Sequence, residues 1–186
     1  SLTKMKVELI DKMGTDLSVV NAARVSYAKE KEEFEESDER LIRYLAEHKH
    51  WSPFAHTFLS FRIKAPVFVA RQLVKHQVGL VWNEESRRYI THDPEIYNIR
   101  KWREKPDSSK QGSGEQILIS TELNLEVNEH LQQGLSLYNR LLLENVAPEQ
   151  ARAVLPQSMY TNWIWSGTLY AFARVCELRL DEHSQK

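Results

Sequence analysis

The sequence predicts an α+β fold: a single domain with a central antiparallel or mixed sheet flanked by helices, one of them long and amphipathic. Between Thr57 and Ala65, Leu59, Phe61, Ile63 and Ala65 alternate with Ser60, Arg62 and Lys64, the period of a half-buried strand. From Thr121, Leu123, Val127, Leu131, Leu135, Tyr138 and Leu142 recur at the steps that line one helix face. Strand and helix patterns mix along the chain without strict alternation, which favours α+β.

Taken in order, Lys6 to Ile10 alternates as a short first strand, and Asp16 is expected to cap a helix carrying Leu17, Val20, Ala23 and Arg24, closed by Ser26. The acidic run Lys29 to Glu39 reads as a solvated segment leading into a second helix. There Ser37 is expected to cap, Asp38 and Glu39 to favour the helix dipole, and Leu41, Ile42 and Leu45 to form the apolar face. His48, His50 and His56 follow in HKHWSPFAH. Three close histidines invite a metal reading, but no cysteine or helical His-x-x-x-His pair accompanies them, and Ser52-Pro53 favours a turn, so no metal site is expected.

After the strand at Thr57, Pro66 suits the first position of a helix with Val67, Ala70, Leu73 and Val74 buried and Arg71, Gln72 and Lys75 on the other side. Beyond Gly79 the chain reaches the charged cluster Glu84 to Tyr89, with a short strand expected before Asp93-Pro94. The polar segment KPDSSKQGSGEQ is an insertion or flap. Pro148 opens a short helix holding Arg152. Asn162 to Thr168 reads as a last strand, and Leu169, Phe172, Ala173, Cys176 and Leu180 as one face of a final helix. Cys176 is therefore expected in the core, and Arg179 and His183 project from one side.

With 186 residues the chain is long enough to bury a core without metal or disulfide staples. Lys and Arg total 25 against 26 Asp and Glu, a balance that lacks the basic excess of a nucleic-acid binder. The single cysteine rules out an internal disulfide framework and fits a reducing cytoplasm. No apolar run reaches membrane-spanning length. No boundary divides residues 1–186, and the helical pattern still running at Lys186 is consistent with a longer natural protein.

The chemistry is expected in RQLVKHQVGLVWNEESRRY, from Arg71 to Tyr89. Hydroxyl, carboxylate and guanidinium groups close together in a loop suit a phosphate; a solvated charged turn is the other reading of the same spacing. This stretch resembles the flavin-dependent thymidylate synthase family, which carries an Arg-His-Arg triplet on a helix, a spacer, then Asn-Glu-x-x-Ser-x-Arg-Tyr or a close variant. The counterparts are Lys75-His76-Gln77 and Asn83 to Tyr89, with a spacer one residue longer. Ala22 to Ser26, His50 to Phe54, Lys64-Ala65-Pro66, Arg71-Gln72, Ala151-Arg152 with Leu155-Pro156, and Leu178-Arg179 also occur in the family's order.

The resemblance implies reductive methylation of dUMP, with methylenetetrahydrofolate giving the carbon and NADPH the hydride through FAD, in a homotetramer whose active sites several subunits build. By resemblance Arg179 and His50 are catalytic, with Arg179 at the uracil ring, while Gln72, Glu84, Ser86, Arg87, Arg88 and Arg152 hold the nucleotide. FAD is implied at Ser26, His50, Ser52, Lys75, His76, Gln77, Glu84, Thr168 and Arg174. Lys75 for Arg loses the planar fork, Gln77 for Arg loses the charge, and Arg174 offers a replacement cation. Two other readings stand: a family member that has lost FAD and acts as a scaffold, and a nucleic-acid module using Lys75, Arg87, Arg88, Arg100, Lys101 and Arg103 with Trp82, Tyr89 and Trp102 as stacking platforms.

Overall fold

A computed structural model describes residues 4–106 and 114–180. His183 and most of the Ser- and Gly-rich segment lie outside them. In chain order the elements are β1 (Lys6–Met13), α1 (Asp16–Arg24), α2 (Glu36–Glu47), β2 (Phe58–Pro66), α3 (Val67–Leu73), β3 (Leu80–Glu84), β4 (Trp102–Arg103), β5 (Gln116–Ile117), α4 (Thr121–Leu143), α5 (Pro148–Ala151), β6 (Tyr160–Thr168) and α6 (Leu169–Arg179). Short 3-10 turns cover Val25–Tyr27, Ser52–His56 and Arg152–Val154. The main sheet has the order β1-β2-β6-β3, and every pairing in it is antiparallel.

The alternation in β2 sets the core. Phe61 faces Trp165 and Ile63 faces Trp163 across the β2–β6 pair, and Trp82 of β3 lies opposite Trp165. Trp82 stacks on Trp163 with ring centroids 4.3 Å apart. On this face α3 contributes Val69, Ala70 and Leu73, and α6 contributes Phe172 and Val175. Both helices leave directly from the two central strands: Pro66 ends β2 and caps α3, and Thr168 ends β6 and caps α6, its Oγ1 accepting the Ala171 N–H at 3.0 Å.

Several expectations are corrected. Thr15, not Asp16, caps α1, because the Ser18 Oγ reaches back to accept the Thr15 N–H at 2.9 Å. Glu35, not Ser37, caps α2, because Asp38 turns inward and accepts the Glu35 N–H at 2.9 Å. Asp38 is fully buried rather than solvated, paired with Arg24 at 3.0 Å and Lys31 at 2.7 Å. The segment after Tyr89 forms no strand there; Tyr89 and Ile90 donate their N–H groups to the Ser86 carbonyl in a turn. Strand β3 was not anticipated. Cys176 is exposed, since α6 buries Ala171 and Val175 instead.

Candidate functional site

Strand β3 separates two groups of side chains. At its start, the turn between α3 and β3 presents Lys75, His76 and Gln77 to a cleft of about 640 Å³, within the roughly 300–1,000 Å³ typical of small-molecule sites. Gly79, at φ +74°, lets the chain reverse here, and Gly167 of β6 lacks the Cβ that would strike the Gly79 carbonyl. The far wall of the cleft includes Thr168, Ala171, Arg174 and Val175. Its lining is apolar apart from Lys75, His76, Gln77, Thr168, Tyr170 and Arg174, and holds no carboxylate. That donor set suits a flat ring system bearing an anionic tail.

Trp51 of this cleft also lines two other hollows. One, of about 320 Å³, is lined by His50, Phe54 and Arg174; the other, of about 520 Å³, by Ser26, His50 and Ser52. Trp51 packs at a tilt on Tyr170, centroids 5.3 Å apart. All the residues implied for FAD except Glu84 therefore border hollows that share Trp51 in their walls. Trp51 and Tyr170 were missed; the one visible signal was a large aromatic inside the His50-x-Ser52 motif.

Arg179 ends α6 beside the same turn. Its Nε–H donates to His76 Nε2 at 3.0 Å and its Nη2 to the Gln72 carbonyl at 2.9 Å. The second bond covers a carbonyl that α3 leaves open at its C-terminus. Burial, then the Arg179 charge, lowers the His76 pKa below its ordinary value.

The second group gathers at the other end of β3, whose five residues span roughly 15 Å at about 3.3 Å per residue. Glu84 accepts hydrogen bonds from Trp82 Nε1 and Thr161 Oγ1, both at 3.0 Å. Ser86 Oγ accepts the Arg88 N–H at 3.3 Å. Glu149, a residue the sequence reading passed over, holds two arginines together: its carboxylate pairs with Arg88 Nε at 3.3 Å and its carbonyl accepts from Arg152 Nε at 3.1 Å. Arg87 points elsewhere. It is buried, donates to the His92 carbonyl and lies over the Tyr138 ring at 6.0 Å, so its guanidinium is turned inward and away from the surface shared by Arg88 and Arg152. Among the described residues no group of acidic, histidine or cysteine side chains could hold a metal ion, and no helix is long and apolar enough to cross a membrane.

The profile of a family described as thymidylate synthase complementing protein matches residues 8–186. Over 99% of its length the chain is 40% identical to the flavin-dependent thymidylate synthase of Kosmotoga olearia, covering 80% of that protein, and 38% identical to the one of Thermosipho melanesiensis, again covering 80%. A UMP/dUMP methylase, PolB from Streptomyces cacaoi, solved with 5-Br dUMP, superposes with a TM-score of 0.80 at 32% identity, over 96% of this chain and 79% of that one. With the motif order, the antiparallel fold and these matches in agreement, the chain belongs to the family of flavin-dependent thymidylate synthases.

Proposed function

We propose that the chain catalyses reductive methylation of dUMP to dTMP, with methylenetetrahydrofolate as carbon donor and NADPH as reductant through bound FAD. The observation that carries this reading is Arg179, a cation held at the edge of the apolar cleft that the Lys75-His76-Gln77 turn lines. For C5 of uracil to attack a carbon donor, negative charge must build on the ring carbonyl oxygens, and a fixed guanidinium stabilises that charge. The structural neighbour solved with a brominated dUMP supports a substrate of this class.

FAD, when bound, supplies the hydride relay from NADPH. Ser26, His50, Ser52, Lys75, His76, Gln77, Thr168 and Arg174 would hold it along these three hollows, with Thr168 donating its hydroxyl hydrogen because its oxygen already caps α6. At the other end of β3, Ser86, Arg88 and Arg152 offer a hydroxyl and two guanidinium groups to the phosphate, and Glu84 presents a carboxylate fixed by Trp82 and Thr161. Arg179 meets Gln72 and His76 beside the turn that precedes β3, and Ser86 and Arg88 follow the strand in the chain. The proposed assembly is a homotetramer in which a nucleotide meets Arg179 from one subunit and the phosphate-binding arginines from another.

The test is an absorbance spectrum of the purified protein, followed by an assay for dTMP with methylenetetrahydrofolate and NADPH. A yellow protein that forms dTMP is expected. Flavin-free protein, or flavin-loaded protein that makes no dTMP, overturns the reading.

A further inference from the structure

An arginine at the end of a helix has many rotamers, and two bonds to fixed acceptors select one of them. For Arg179 those acceptors are the Gln72 carbonyl and His76 Nε2. The first is backbone and always available. The second is available only in one protonation state: an imidazole nitrogen that accepts an N–H carries no proton, so His76 must be neutral with its hydrogen on Nδ1. The surroundings favour that state. Lys75 lies on the same turn, Tyr170, Arg174 and Arg179 face it from α6, and no carboxylate lines the cleft to stabilise an imidazolium. Burial and the Arg179 charge lower the His76 pKa, the direction the bond requires.

We propose that His76 is a positioning residue for Arg179: its neutral Nε2 aims the guanidinium so that the remaining N–H groups face the uracil, and protonation of His76 releases it. Two of the five N–H groups of arginine are used by His76 and Gln72, which leaves an outer edge for a ring oxygen. Once His76 is protonated, two cations meet donor to donor and the bond is lost. What Arg179 faces rests on the function proposed above; its pairing with His76 does not.

The pairing is read without flavin or substrate, by nitrogen-15 NMR of His76 in the folded protein. The expected result is the Nδ1–H tautomer, with a pKa that rises in Arg179→Ala. An Nε2–H tautomer, or a pKa that fails to rise, overturns the pairing. The positioning role is read from kcat at saturating dUMP, with flavin content measured for every variant. His76→Gln keeps an acceptor near Nε2 but does not titrate, so, compared at equal flavin content, it should keep more of kcat at neutral pH than His76→Leu and lose the acid limb of the kcat profile. His76→Leu should lose about tenfold or more in kcat, and combining it with Arg179→Ala should add little to the loss from Arg179→Ala alone. An acid limb that persists unchanged in His76→Gln, or losses that multiply in the double variant, refutes the role. Where His76→Leu sheds flavin, His76→Gln and the NMR measurement decide. Wild-type protein that makes no dTMP defeats the proposed function, while the NMR result still decides the pairing.

Discussion

Arg88 and Arg179 are both cations in the family's motif, yet their surroundings differ. Arg88 is half exposed, shares Glu149 with Arg152 and follows Ser86, in a loop suited to phosphate. Arg179 is bonded to His76 and Gln72 at the edge of a cleft. Removing uniform binding raises KM at constant kcat, whereas removing an interaction made only in the transition state lowers kcat and kcat/KM together. Arg88→Ala is therefore expected to raise KM for dUMP, and Arg179→Ala to cost about 2–4 kcal/mol in the methylation step. Steady-state kinetics with saturating methylenetetrahydrofolate separates the two, and a normal kcat in Arg179→Ala would remove Arg179 from the chemistry. Asp38 shows what a single sequence hides. Read in isolation it is one acid in a charged run, but Lys31 first, then the Glu35 N–H and Arg24, hold its pKa at about 2 against an ordinary 3.8 despite burial. Because the folded value lies below the unfolded one, this stabilisation is present above about pH 3.8 and is lost as pH falls through about 2. Thermal melts across that range should show Asp38→Asn less stable at neutral pH and less sensitive to acid than wild type. Parallel melting curves would assign acid sensitivity elsewhere.

At the scale of elements, β2, β6, α4 and α6 were legible because each carries a clean period over many residues. Strand β3 was not, because its five residues LVWNE lie inside a motif chosen for chemistry, and its place depends on pairing with β6. The face of α6 was only partly assigned for a related reason: Phe172 packs on the core as its spacing implies, but Cys176 on the same stripe is exposed while the neighbouring Ala171 and Val175 are buried. The β3–β6 contact also sets the position of the Lys75-His76-Gln77 turn, through the close approach of Gly79 and Gly167. A methyl group at Gly167 would strike the Gly79 backbone and come within 2.6 Å of Leu80 Cδ2. Gly167→Ala is therefore expected to destabilise the protein by about 1–3 kcal/mol and to weaken flavin binding, because the turn must move. A denaturation midpoint and a flavin titration would check both effects; unchanged flavin affinity would show that the turn is held by other contacts.

Over the described residues, the exposed apolar side chains include groups on α4 and β1. Helix α4 packs on α5 and the turn that follows it, with Leu123, Leu125, Leu137 and Leu143 exposed. Edge strand β1 exposes Val7, Leu9 and Met13. Such surfaces suit subunit interfaces, and they accord with the proposed homotetramer. If sites are shared, Arg179→Ala and Arg152→Ala subunits should complement one another. After unfolding and joint refolding, about a quarter of the sites in an equal mixture should regain both arginines. No recovery, with light scattering confirming mixed oligomers, would mean that one subunit supplies both residues.

By itself the sequence determined the α+β class, the central strand, the long helix, the family and the residue types at the proposed site, because periodicity and ordered motifs are local properties of a chain. Only the tertiary structure decided that Asp38 is buried, that Arg87 turns inward, that Glu149 pairs with two arginines, and that His76 meets Arg179 from 103 residues away. Each of those depends on which elements the β2–β6 pairing brings together. A hydrogen bond responds to distance in space and carries no trace of separation along the chain.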